Sequence, residues 1–117
     1  MAPGILAEMT APLIANLEKL LGTPRDGALL RYSLGNEHLK AGNVELGIEH
    51  LREAVQRDPQ YSAAWKSLGR ALAEAGRADE AREAYARGIE AARARGDRQA
   101  EKEMTVFARR LDRGSAP

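Results

Sequence analysis

Histidine is the side chain that most often moves protons near neutral pH, and this chain has two, His38 and His50, twelve residues apart. There is no cysteine, so neither a thiolate metal site nor a disulfide framework can form. His38 falls at a helix-packing position and reads as a buried, hydrogen-bonded structural residue, while His50 falls on the outer flank of its helix and reads as solvated. Glu45 with Glu49, and Asp79 with Glu83, stand one helical turn apart and could share an acid–base task, but that spacing ordinarily makes a charged surface face. Arg82, Arg87, Arg93, Arg95 and Arg98 would suit a phosphate-binding stripe. Glu80, Glu83, Glu90 and Asp97 are interspersed with them, which predicts ion pairs and solubility instead. No Gly-rich phosphate loop occurs. These residues therefore predict no catalytic group, no metal ligand and no cofactor, and the chain reads as no enzyme.

The elements that carry these residues follow from composition and period. The 117 residues fit one domain, with 44% apolar residues but only 4% aromatics, and Ala and Leu predominate, as in close-packed helices. Eighteen basic against seventeen acidic residues leave a net charge of +1, which gives no reason to expect nucleic acid or an anionic membrane as partner. The N-terminal stretch lacks a basic region ahead of its short apolar run, and no segment reaches the ~18 apolar residues of a membrane span. With the absence of cysteine, these features lead to a cytoplasmic expectation. Sliding the chain against itself finds an offset of 34 residues that superimposes Ser33-Leu34-Gly35 on Ser67-Leu68-Gly69 and Ala41-Gly42 on Ala75-Gly76. Each copy holds two helical stripes separated by a turn at Gly42 or Gly76, so the repeating unit is a helical hairpin.

These residues resemble the tetratricopeptide repeat (TPR) pattern. The second copy supplies Trp65, Leu68, Gly69, Leu72, Gly76, Ala81, Tyr85, Gly88 and Ile89, and the first supplies Leu34, Gly35, Gly42, Gly47, Leu51, Ala54, Val55 and Pro59. The first copy departs from the pattern at Arg31 and His38, and Arg93 replaces the usual closing proline of the second. Gly96 is expected as a left-handed C-cap and Asp97 as the following N-cap. Met104, Phe107, Ala108 and Leu111 repeat a first-helix stripe, while Leu13, Ile14, Leu17, Leu20 and Leu21, ended by Gly22 and Pro24, resemble a preceding second helix. The expectation is an all-α superhelix of antiparallel hairpins, with helices at about 10–22, 28–41, 44–58, 61–75, 78–95 and 98–112. Residues 1–9 are expected as a flexible lead-in and 10–113 as one TPR domain. Within it lie a half-repeat (10–27), repeats at 28–61 and 62–96, and a capping helix (97–113), followed by a frayed tail at 114–117.

The resemblance implies a non-catalytic module that binds a peptide or protein segment in a groove lined by the first helix of each hairpin. The residues it assigns there include Tyr32, Asn36, Lys40, Lys66, Arg70, Lys102 and Arg109, a set more basic than the whole chain, so an acidic segment or C-terminus is the expected ligand. Lys66 and Arg70, one turn apart, with Asn36 at the matching position of the first repeat, are similar to the carboxylate clamp of chaperone-binding TPR domains. Tyr32 stands where that clamp has lysine, so the chaperone partner does not carry over. An alternative use of the scaffold is self-association or docking into a larger complex through Leu29, Leu39 and Val106. A monomer is expected otherwise.

Overall fold

The computed structural model describes the backbone of residues 2–115 and the side chains of residues 10–114. Its elements are six α-helices: α1 (Ala2–Glu18), α2 (Ala28–Lys40), α3 (Val44–Arg57), α4 (Ser62–Glu74), α5 (Ala78–Arg95) and α6 (Arg98–Ser115). No strand occurs among the described residues. The chain divides into two compact units, Met1–Arg57 and Asp58–Pro117.

Three of the helix ends share one device. Gly42, Gly76 and Gly96 have φ of +87°, +78° and +73°, a left-handed conformation that costs glycine little and other residues more. The next residue then turns its N–H back to the carbonyl five residues earlier: Asn43 donates to the His38 carbonyl at 2.8 Å, Arg77 to that of Leu72 at 2.9 Å and Asp97 to that of Ala92 at 2.8 Å. Chain reversal at these points therefore satisfies carbonyls that a helix end would leave open. Asp97 also opens α6 as expected, its Oδ1 accepting from the Ala100 N–H at 3.1 Å.

In the first unit, α2 and α3 approach glycine to glycine. A Cβ on Gly35 would fall 2.7 Å from Leu51 Cγ and 3.0 Å from the Gly47 carbonyl oxygen, and one on Gly47 would fall 2.6 Å from Leu39 Cδ2. Leu34, Leu51 and Ala54 close this interface with no exposed surface. Ile14, Leu30 and Leu34 form a buried cluster on the side of α1, with Leu17, Leu20 and Leu21 half-buried against it. The stripe expected on α1 is thus rotated: Ile14 is buried and Leu13 is 44% exposed.

In the second unit α5 packs on both α4 and α6. Tyr85 lies across Gly69, where a Cβ would come within 2.6 Å of Tyr85 Cδ1, and Gly88 lies under Trp65 and Met104, with Trp65 Cβ 2.7 Å from a Cβ built there. Trp65, buried, donates its indole N–H to the Pro59 carbonyl at 2.7 Å, which anchors the start of α4 to the bend before it.

Two helix limits differ from those the sequence predicts. The first helix spans Ala2–Glu18 rather than 10–22, so residues 2–9, expected as a lead-in, are part of its backbone, with Met1 and the side chains of residues 1–9 outside the described residues. It ends early because the chain turns at Leu20 and Leu21 and reverses at Gly22, whose φ is +77° and whose N–H the Asp26 carboxylate accepts at 2.9 Å. At the other end α6 runs on through Gly114 to Ser115, which were expected in the tail; Ala116 and Pro117 lie outside the described residues.

Candidate functional site

In the first unit the expected groove residues Tyr32, Asn36 and Lys40 all lie on α2. Tyr32 and Asn36 are half-buried and Lys40 is exposed, with its ammonium 3.1 Å from the Glu37 carboxylate. A surface pair of this kind is weak, but it leaves Lys40 a neutralised neighbour rather than an isolated cation.

The strongest electrostatics in this unit lie elsewhere. Arg31, which stands where the repeat pattern has a large apolar residue, grips Asp26 with two hydrogen bonds, Nε to Oδ1 at 2.9 Å and Nη2 to Oδ2 at 3.1 Å. Arg57 adds a donor to the Asp26 carbonyl at 2.6 Å. The Arg31 guanidinium and the Gly22 N–H together hold the Asp26 carboxyl well below the usual carboxylate range, and Asp26 in turn raises Arg31. This bidentate pair fixes the turn between α1 and α2 to the hairpin.

The histidines differ from each other as expected in one respect only. His38 is buried, and the Asn43 side-chain amide lies 3.2 Å from its Nδ1, which makes Nδ1 the acceptor and leaves the proton on Nε2. That Nε2 has no hydrogen-bond partner among the described residues; the Glu18 carboxylate of α1 lies 3.8 Å away. His50, expected on the solvated flank, is instead half-buried and stacked on His38, with ring centroids 5.4 Å apart and planes 8° from parallel. Its Nδ1 is 3.5 Å from Arg31 Nη1. Burial, followed by His38 and Arg31, pushes the His50 pKa down, opposed by Glu18 and Glu49. Among the described residues no group of three or more His, Cys, Asp and Glu side chains has the spacing of a metal site.

In the second unit Lys66 and Arg70 do share a face of α4, but their surroundings set them apart. Lys66 reaches α6 and pairs with Glu103 at 2.8 Å; Lys66, with Gln99, holds the Glu103 carboxyl below its ordinary value. Arg70 has no carboxylate partner among the described residues, and its guanidinium carbon lies 6.0 Å from the Phe107 ring centroid. Lys102 and Arg109 come together on another face of α6, where with Arg98, Thr105 and Val106 they line a shallow concavity of about 470 Å³. Arg70 therefore does not share a surface with these two.

The second arginine at the Phe107 ring was not among those expected. Arg110, next to Arg109 in sequence, places its guanidinium carbon 5.8 Å from the same Phe107 centroid. Its signal in the sequence was only that it follows Phe107 by three residues on a helix. The Arg82–Arg98 series divides as the mixed charges imply: Arg82 pairs with Asp79 and Asp112, Arg87 with Glu83, and Arg93 with Glu101. None of the described helices is long and apolar enough to cross a membrane.

Comparison with known proteins matches this architecture. A family model described as tetratricopeptide repeat covers residues 32–97. The chain is 52% identical over 101 residues to the TPR repeat-containing protein PA0015 of Pseudomonas aeruginosa, spanning 86% of this chain and 96% of that protein. The solution structure of BPP2914 from Bordetella parapertussis superposes with a TM-score of 0.75 at 42% identity, over 88% of this chain and 90% of that one. A crystal structure of a tetratricopeptide repeat domain protein from Salinibacter ruber does so with a TM-score of 0.71 at 31% identity, over 78% and 100%. With two glycine-centred hairpins, each reversed by a left-handed glycine, and these relatives, the chain belongs to the tetratricopeptide repeat family.

Proposed function

We propose that this chain is a non-catalytic protein-interaction module that takes an acidic segment of a partner protein on the exposed faces of its first helices. TPR domains are in general protein-interaction modules, which supports the coarse reading. The observation that carries the acidic ligand is Arg70: an exposed guanidinium on α4 with no carboxylate partner among the described residues, while Lys66 on the same face is engaged by Glu103. Lys102 and Arg109 on α6 are also exposed and offer the same chemistry, and Tyr32, Asn36 and Lys40 on α2 are the corresponding groups of the first unit. Charge-assisted hydrogen bonds from guanidinium to carboxylate are strong enough, and salt-sensitive enough, to be measured one residue at a time.

The test is titration of a fluorescein-labelled peptide with a run of glutamates into the wild type and into Arg70→Glu, Lys66→Gln and Lys102→Glu/Arg109→Glu variants. Arg70→Glu is expected to weaken binding about tenfold or more, with affinity falling as salt rises, and Lys66→Gln to have the smaller effect because its charge is already compensated. Equal affinity of wild type and Arg70→Glu would remove the acidic-ligand reading. A second use of the surface, self-association, is favoured by Leu29, which is 68% exposed at the start of α2. Sedimentation over a hundredfold range of concentration, with Leu29→Lys as the control, decides it: a mass that stays monomeric removes this second use.

A further inference from the structure

Between α4, α5 and α6 of the second unit lies an open pocket of about 590 Å³, whose walls include Arg70, Glu74, Tyr85, Phe107, Arg110 and Leu111. Its chemistry is more specific than that of a charged helix face. Tyr85 is buried to 2% exposure, and among the described residues its hydroxyl has no hydrogen-bond partner, although the residue lines the pocket. Burial pushes its pKa up, so the hydroxyl is neutral and available as donor or acceptor. A buried phenol that leaves its hydroxyl unpaired within the protein directs it at whatever enters from outside.

Phe107, tilted against Tyr85 with centroids 5.9 Å apart, is only half-buried, so its ring is left as apolar wall. Both guanidiniums that meet this ring, Arg70 and Arg110, lack a carboxylate partner among the described residues, unlike Arg77, Arg82, Arg87 and Arg93 of the same unit. Glu74 is the acidic member of the lining, so the two arginines leave an excess of one positive charge at the pocket. An apolar wall, one neutral hydroxyl and a positive rim are complementary to an apolar side chain that has a carboxylate close by.

We propose that this pocket holds a bulky apolar side chain of a partner peptide, and that Arg70 and Arg110 take the carboxylate of an acidic residue adjacent to it in the same segment. The proposal rests on the protein-interaction reading above and adds to it an apolar anchor, a location and Arg110. The ligand is then a mixed apolar-acidic motif rather than a simple acidic run. Anchors of this type dominate binding when they fill a pocket and a ring of polar groups excludes water around them.

The test uses the full chain and three fluorescein-labelled peptides of equal length with amidated C-termini, so that only side-chain carboxylates are on offer. One carries a leucine flanked by glutamates, one has alanine in place of the leucine, and one has glutamines in place of the glutamates. The first is expected to bind at least about tenfold more tightly than either of the others, the step of one well-placed contact. Arg110→Ala should weaken the leucine–glutamate peptide by a similar factor and abolish its advantage over the glutamine peptide. Tyr85→Phe should weaken it less, and Glu74→Gln should strengthen it. Arg113→Ala, which removes a charge from the same helix outside the pocket, should change nothing. Arg110 is exposed, and an unchanged circular dichroism melt confirms that its variant is folded. If the leucine and alanine peptides bind alike, or if Arg110→Ala is without effect while acidic peptides still bind, the pocket proposal is overturned and the broader reading stands. If no acidic peptide binds with or without the leucine, both fall.

Discussion

At the residue scale, small size at four positions is what allows the helices to meet. Gly69 is the sharpest case, because its missing Cβ is replaced by the Tyr85 ring: a methyl there would sit 2.6 Å from Cδ1, against a ring that is itself buried. Gly69→Ala is therefore expected to cost about 1–3 kcal/mol, the usual penalty of overpacking, despite the gain in helix propensity. A denaturant melt on tryptophan fluorescence measures it, since Trp65 lies in the same unit; a variant as stable as the wild type would show that the ring moves aside freely. Gly35 and Gly69 were legible in the sequence because they stand 34 residues apart, and Gly47 and Gly88 because each falls at a small-residue position of the repeat, where the other copy has Ala81 or Ala54. The partners of Arg31 and His50 were not. Arg31 looked like a missing apolar residue and His50 like a solvated one, and only the packing of α2 on α3 brings His50 beside His38 and Arg31, nineteen positions from the latter.

At the element scale, α6 shows how a helix can be foreseen while its site is not. Its start follows from the Gly96 reversal and the Asp97 cap, and its buried stripe from Met104, so its existence was readable. Which polar residues it turns toward α4 depends on rotation about its axis, and one residue is worth about 100° of it. Repeat register pointed to Lys102 and Arg109; in the folded unit Glu103 is the one that pairs with Lys66, and Arg110 the one that meets the same Phe107 ring as Arg70. Met104 sets that rotation, since it has no exposed surface and lies against Gly88 of α5. Met104→Ala is expected to destabilise by ~2–5 kcal/mol through lost burial and a cavity at the α5–α6 interface. It should also loosen the Lys66–Glu103 pair, so peptide binding at Arg110 weakens with stability, whereas Arg110→Ala weakens binding alone. Melting curves and anisotropy titrations on both variants separate the two effects, and equal stability of Met104→Ala and wild type would mean that α6 is held by its ion pairs instead.

At the scale of the whole molecule, pH sensitivity of stability belongs to the groups whose environments are unlike those of the unfolded chain. Two lie in the first unit. The His50 pKa is lowered in the fold, mainly by burial, so as pH falls below its unfolded value of about 6.5 the unfolded chain takes up a proton before the folded one does. The unfolded state then binds more protons, and stability falls with falling pH, by at most about 1.4 kcal/mol per pH unit for one group. The lowered carboxyl of Asp26 acts in the same direction in a lower window: its pairing with Arg31 contributes above its ordinary value of 3.8 and is lost as pH falls from there. The two windows can be told apart by substitution. His50→Gln should flatten the dependence of melting temperature on pH between about 7 and 5 while leaving the acid limb below 4, whereas Asp26→Asn should lower stability at neutral pH and flatten the acid limb. Burial of His50 gives the first window its main physical cause, and the stack adds to it, because protonating His50 would place a cation against the His38 ring and beside Arg31, with Glu18 and Glu49 as the opposing charges. A wild-type melting temperature that does not change between pH 7 and 5 would show that His50 opens to water before it takes up a proton.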